Sequence, residues 1–269
     1  MEFHGFWTGA MIIMGGIVAA LLLVAAVRRL VPAEELSQNH DVTGNLLSVV
    51  GTLYAVLLGL IVVDALVRFE HAVDVVQQES NALADIFLLA DRLPAAERTR
   101  LQDTCRRYAR LVVEEEWPAM NAGRMSIAAR RAAFGLVRGL DGFEPRTEAE
   151  KAVFPLILEQ IRELWDHRRE RAGTAEFGIP AVEWFVLVVG GAVTVLFAGL
   201  FRAPKVGLER LIVGLAALVI GLNLYLVSLF GYPFSGELTV SSRPFAVDLA
   251  IFEGSLDDRP APAGEHEGH

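Results

Sequence analysis

Four long apolar runs decide what this chain can become. They cover residues 7–27, 45–67, 181–201 and 209–230. Each approaches or exceeds the ~20 residues an α-helix needs to cross ~30 Å of hydrocarbon at about 1.5 Å per residue. Of the 269 residues 53% are hydrophobic and yet 21% are charged, a combination that requires the two kinds to be segregated. They are, because most of the charge lies between residues 68 and 176. The pattern predicts an all-α membrane protein with four transmembrane helices. Helices one and two fall in residues 1–67, and a soluble helical bundle over 68–180 is inserted between spans two and three. Helices three and four fall in 181–230, and an extended segment with a disordered tail covers 231–269.

The first run does not read as a cleavable signal. Its N-terminal flank carries Glu2 and His4 instead of basic residues, and no small-residue cleavage site precedes Arg28. It is expected to remain as a span. Trp7 and Trp184 stand at span ends, where indole rings favour the headgroup layer. The two short connections are basic, with Arg28, Arg29 and Pro32 in one and Arg202, Lys205 and Arg210 in or beside the other. Short basic loops stay in the cytoplasm. Residues 30–43 and 202–208 are therefore expected there, with the middle region and both termini on the other side. Lys occurs only at Lys151 and Lys205, and Arg supplies every other cation. With so much Ala, Gly and Val, this is the coding bias of a GC-rich bacterium, so the inner membrane is the expected location.

Between spans two and three the chain reads as helical throughout. No Gly or Pro occurs from Leu60 to Leu93, so span two is expected to run on unbroken over roughly 50 Å at 1.5 Å per residue. Pro94 suits the start of a new helix, with Glu97 in its first turn. That helix carries Leu101, Cys105, Tyr108, Leu111 and Val112 on one face, and Trp117-Pro118 is expected to end it. A shorter helix is expected around 126–140, closed by Gly139 to Gly142. Thr147 with Glu150 forms a capping-box pattern and opens a helix bearing Val153, Ile157, Ile161 and Leu164. Pro155 inside it should bend that helix or move its start. After span four, Tyr232 to Gly236 reads as a turn and Glu237 to Ser241 as a short extended segment.

Several function classes are poorly served. A single cysteine excludes an intramolecular disulfide and any cysteine-based metal cluster. A net charge of −9 gives nucleic acid nothing to bind. No phosphate-cradling glycine loop and no nucleophile–base constellation stands in recognisable context. An enzyme is not expected, nor a cofactor. Gly264 to His269 could hold a divalent metal weakly but reads better as a flexible acidic tail, so no metal site is expected.

What remains is the membrane itself. In span two, Gly44, Ser48, Thr52, Ala55 and Gly59 fall on one helical stripe, where another helix can approach closely. Gly207, Gly214, Gly221 and Ser228 repeat the device in span four, and Gly190, Thr194 and Ala198 in span three. These stripes can pack the four spans together or join subunits. On another face of span two, Leu46, Val50, Leu53, Leu57, Ile61, Asp64, Arg68 and His71 follow at steps of three or four. An apolar stripe thus ends in an acid, a base and a histidine. A carboxylate near a span end is a functional candidate by default, although Asp64 and Arg68 at i and i+4 can also neutralise each other. Glu183 sits near enough to a span end to snorkel, and Asn223 can bond a neighbouring helix.

Four motifs occur in a fixed order: Gly51-Thr-Leu-Tyr54-Ala-Val-Leu-Leu-Gly-Leu60, Glu115-Glu-Trp117-Pro118-Ala-Met120, Ile179-Pro-Ala-Val-Glu-Trp184 and Pro233-Phe234-Ser-Gly236. Together they resemble the bacterial bestrophin-like family, a family of unknown function, over roughly residues 40–245. One departure is Gly231, where the family usually has an aspartate. Bestrophins are pentameric ion channels whose second span lines a central pore. The resemblance therefore implies a homo-oligomer, pentameric by analogy, with membrane lipid and inorganic ions as partners. Leu53, Leu57 and Ile61 would then form a hydrophobic constriction that gates by dewetting. A ring of Asp64 would favour cations unless Arg68 cancels its field, which leaves selectivity open. The alternative is a non-conducting sensor or scaffold that uses Trp117 and Glu114 to Glu116 as contacts. A proton-coupled transporter fits less well, since no broken helices or inverted repeats occur in the spans.

Overall fold

The longest stretch without a helix breaker gives the longest element. A computed structural model describes residues 4–30, 40–176, 178–200 and 206–254. In it α1 covers His4–Leu30 and α2 covers His40–Leu89, 50 residues without interruption. A 3₁₀ turn, Ala90–Arg92, closes α2 just before Pro94, which disfavours α conformation in the residue ahead of it. Then follow α3 (Ala95–Leu111), a π turn (Val112–Glu116), α4 (Trp117–Asn121), α5 (Ile127–Arg138) and α6 (Glu148–Glu176). The chain continues through α7 (Ala181–Leu200) and α8 (Val206–Phe230) to α9 (Arg243–Phe252). Among the described residues there is no strand. Four helical stretches are long and apolar enough to cross a membrane: Gly9–Arg29, Gly44–Arg92, Ala181–Leu200 and Val206–Phe230. The all-helical membrane fold read from the sequence is the fold observed. The expected loop at Pro32 and Arg202 to Lys205, and the tail with its terminal His residues, lie outside the described residues.

The chain divides into two compact units. The first comprises Met1–Phe69 with Gly178–Pro233, and the second Glu70–Phe177 with Phe234–His269. The first unit is a bundle of α1, the N-terminal half of α2, α7 and α8. Ala20 and Val24 of α1 meet Val195 and Ala198 of α7 and Val213 and Ala217 of α8. A second cluster joins Tyr54, Leu58 and Ala65 to Leu187 and Val227. Glycine makes these approaches possible at two places. A Cβ on Gly190 or Gly191 would run into the Tyr54 ring or hydroxyl, and one on Gly199 into Val24. The Tyr54 hydroxyl donates to the Leu187 carbonyl at 3.0 Å. Arg28 and the buried Glu209 form a polar clasp that joins α1 to α8, with Nε to Oε1 at 2.7 Å.

In the second unit local signals explain the helix starts. Thr147 Oγ1 accepts from Glu150 N while Glu150 Oε2 accepts from Thr147 N, each at 3.1 Å, so the capping box forms as read. The N–H groups of Arg146 and Thr147 hold the Glu150 carboxyl below its usual range. Pro155 neither ends α6 nor moves its start, because its ring lies on the exposed side and only the bond to Lys151 is lost.

Two local readings need correction. Trp117-Pro118 does not end the helical run. The chain passes through the π turn, and Pro118 falls in the first turn of α4. The π turn also has a packing reason. In a regular helix Glu116 and Met120 would sit about 40° and 80° round from Val112 at 100° per residue. The wider turn brings both onto the buried face that Leu101, Cys105, Tyr108 and Val112 already share. The second correction is α9, where the sequence suggested no helix. Its anchors are Phe245 and Phe252, and Phe252 stacks on Phe87 at 4.1 Å between ring centroids.

Candidate functional site

The stripe read along α2 meets three different environments. Leu53 is 67% exposed, whereas Leu57 and Ile61 are half-buried, and Ile61 packs on the Tyr54–Leu58–Ala65 cluster. Asp64 is exposed and accepts from Arg68 Nε at 2.6 Å. His71 turns to Glu170 on α6, Nε2 to Oε1 at 2.9 Å. The three polar residues therefore do not form one unit: the acid and base close on each other, and the histidine is engaged elsewhere. Of the small residues, Ser48 bonds its own helix at Gly44 O, and Ser48 and Thr52 are exposed. A Cβ on Gly51, Gly59 or Gly214 would meet nothing within 4 Å, while one on Gly221 would touch Ile13. Gly51, Ala55 and Gly59 of the small stripe of span two line an open groove that Thr194 of α7 and Leu215, Ala216 and Val219 of α8 border from the other side.

The motif residues converge more sharply in the second unit. Trp117 Nε1 donates to the Val240 carbonyl at 2.9 Å, and its ring stands edge-on to Phe234 at 6.0 Å. Gly236 has φ +129°, a conformation only glycine adopts readily. Pro118 is exposed and Pro233 buried. In the first unit Trp184 Nε1 donates to the Tyr232 hydroxyl at 3.1 Å. A Cβ on Gly231 would collide with the Ile179 side chain and the Val227 carbonyl. Ile179 thus fills the space an aspartate at that position would need.

Behind Trp117 lies a constellation that the sequence reading missed. Arg171, fully buried, donates from Nε and Nη2 to the two oxygens of Glu79 at 2.6 and 2.9 Å, and from Nη1 to Met120 Sδ at 2.9 Å. Its guanidinium lies 5.1 Å from the Trp117 ring centroid. The Tyr108 hydroxyl also donates to Glu79. Arg168 donates to Glu116 Oε1 at 2.6 Å, while Glu116 Oε2 is buried without a partner. Two cations and two anions balance in a volume with no water-facing side. Burial pushes the Tyr108 hydroxyl far above its ordinary range, and the charge of Glu79 pushes it further. Burial alone would lower the Arg171 pKa, but the charge and hydrogen bonds of Glu79 outweigh it and hold the guanidinium ionised. Deep burial also raises the Cys105 thiol, leaving no reactive thiolate. The one signal in the sequence was the α6 ladder of Val153, Ile157, Ile161 and Leu164, which continues in step to Arg168 and Arg171.

Chemically this is a tie between helices. It joins α2, α3, α4 and α6 and offers no nucleophile beside a base. Among the described residues no group of three His, Cys, Asp or Glu side chains is arranged to hold a metal ion.

Known proteins match the chain in two ways. The family model described as the Bestrophin-like domain matches residues 15–245. A crystal structure of a bacterial bestrophin homologue from Klebsiella pneumoniae, carrying one substitution, superposes with a TM-score of 0.67 at 12% identity, covering 90% of this chain and 99% of that one. Another structure of a bestrophin homologue from that organism gives 0.67 at 11% identity, covering 92% and 100%. A crystal structure of a membrane protein variant gives 0.64 at 12% identity, covering 93% and 98%. Identities this low carry the fold alone. No curated protein matches the chain.

Proposed function

The chain belongs to the bestrophin-like family, and on that premise we propose that this integral membrane protein is an oligomeric ion channel whose α2 helices line or flank the pore. The observation that carries the reading is α2 itself. It is 50 residues long and unbroken, and the half within the first unit keeps a broad apolar face exposed that no other helix among the described residues covers. A lone span needs no such length, and helices gathered around an axis do. Gly51, Gly59 and Gly214 fit the same reading, since the open space at each is room for a second copy or for lipid.

In this reading Leu53 narrows the path, with Leu57 and Ile61 behind it, and Asp64 stands toward one mouth beside Arg68. The short basic connections 30–43 and 202–208 face the cytoplasm of a bacterial inner membrane. The scaffold alternative draws less support. Trp117 and Glu116, two of its proposed contacts, are engaged inside the second unit and leave only Glu114 and Glu115 exposed.

Reversal potentials in a salt gradient test the role of Asp64. If it borders the path, Asp64→Asn changes cation/anion preference and leaves the oligomer intact. If it only neutralises Arg68, preference stays constant, stability falls, and adding Arg68→Gln restores much of the loss. An intact oligomer that passes no current overturns the channel reading.

A further inference from the structure

The exposed surface of α2 is more ordered than the stripe read from the sequence. Over residues 44–67 its most exposed large side chains are Val49, Leu53, Val56, Leu60, Val63 and Val67, each at least 55% exposed. They alternate in steps of four and three. The same alternation continues without a break through Glu70, Asp74, Gln77 and Asn81, all exposed. From Val49 to Asn81 one line therefore runs along the helix for more than four heptads and changes character once, from bulky aliphatic to polar, before the exposed Leu88 one heptad further on.

The change falls where a water-filled path would need it. From Val49 to Val67 the line spans about 27 Å at 1.5 Å per residue, close to the ~30 Å of hydrocarbon. A lipid-facing stripe accounts for the aliphatic part alone. It gives no reason for the polar part to keep the same register, nor for that register to average 3.5 residues. A 3.5-residue step keeps one line of side chains facing a common axis when several copies incline around it with a left-handed twist. Leu57 and Ile61 lie about 60° and 100° round the helix from Leu60 at 100° per residue, and Ile61 already packs inward.

The line also has a sign. From Val49 to Asn81 it holds no Lys, Arg or His. The two cationic or basic groups of this stretch of α2, Arg68 and His71, are off the line and engaged by Asp64 and Glu170. Glu79 is consumed by Arg171. Gln77 Nε2 donates to Asn81 Oδ1 at 2.9 Å, so these two amides are tied along the helix. Glu70 and Asp74 carry no ion pair among the described residues. Repeated around an axis, they leave an uncompensated negative potential in the polar part, beyond the aliphatic constriction, and such a potential concentrates cations.

We infer that the Val49–Val67 line, and not the Leu57–Ile61 side, faces the conduction path, and that Glu70 and Asp74 at its polar end make the path prefer small inorganic cations. This rests on the channel reading and adds to it a lining register and an ion class.

The test places single cysteines at Leu57, Leu60, Ile61, Val63, Val67 and Glu70 in a Cys105→Ala background. Macroscopic current is then recorded before and after a water-soluble, positively charged methanethiosulfonate. Block at Leu60, Val63, Val67 and Glu70, with little effect at Leu57 and Ile61, is expected. The charge-neutral double variant Glu70→Gln/Asp74→Asn should lower the cation-to-anion permeability ratio several-fold. The charge-keeping Glu70→Asp/Asp74→Glu should retain it, which separates a field effect from a loss of packing. Current blocked at Leu57 and Ile61 but not at Leu60 and Val63, or a ratio unmoved by the neutral variant, overturns this inference and leaves the channel standing. No current from the unmodified oligomer overturns both.

Discussion

The two units of this molecule hold together by opposite means. In the membrane unit the contacts are aliphatic and small. Tyr54 lies against Gly190 and Gly191, and Val24 against Gly199, while large side chains such as Leu53 and Phe185 stay outside. The second unit buries an ionised arginine at its centre and surrounds it with Glu79, Trp117, Met120 and Phe245. The difference is the one that two solvents, hydrocarbon and water, would produce. Hydrocarbon outside supplies no hydrophobic force between spans, so close approach decides. Where water surrounds a bundle, apolar burial supplies the driving force, and a charge-balanced ion cluster can fix which helix meets which.

The largest expected effect strikes that cluster. Arg171→Met leaves Glu79 buried and without its bidentate partner, a loss of about 3–5 kcal/mol. Thermal unfolding should show it, with hydrogen exchange rising across α3 and α6 before α7 and α8. Simultaneous loss of both units would show that the contrast is false. In the membrane unit the matching lesion is steric. Gly190→Val drives a side chain into the Tyr54 ring and should cost about 1–3 kcal/mol as overpacking. Gly214→Ala meets open space within the chain. A cost like that of Gly190→Val would mean the open face is covered by another copy.

How much of this was readable in the sequence follows the same divide. The spans were readable because hydrocarbon thickness sets their length, and α2 was readable because no Gly or Pro interrupts it from Leu60 to Leu93. The Thr147–Glu150 cap was local and therefore visible. The cluster was not, since Glu79 and Arg171 meet across 92 positions of chain, and in the sequence each is one more charge in a charged region. Its helix α9 is short, and its register depends on Phe245 and Phe252 finding partners on other helices. The stripe of span two was half readable. Periodicity shows that Leu53 and Ile61 share a broad face but not that Ile61 turns to the Tyr54 cluster.

Smaller effects sharpen the comparison. Trp117→Phe keeps the ring contacts and removes the donor to Val240, a loss of about 1 kcal/mol. Faster amide exchange over residues 234–252, with α5 unchanged, would confirm that this bond fastens the C-terminal segment. The smallest effect concerns pH. Burial raises the Asp248 carboxyl above its ordinary range, against the opposing hydrogen bond from Ser80. The folded state then holds this proton more tightly than the unfolded state, so stability falls as pH rises through the carboxylate range. Asp248→Asn should flatten that part of a stability–pH profile, and an unchanged slope would assign the dependence to another group.

The central claim is that α2 serves conduction through an assembly of several copies. Purified wild-type protein in a planar bilayer tests it most directly, with the oligomer verified by its mass in detergent. Unitary currents that reverse toward the cation equilibrium potential in a salt gradient are the predicted result. A silent bilayer from the same intact oligomer would contradict the account.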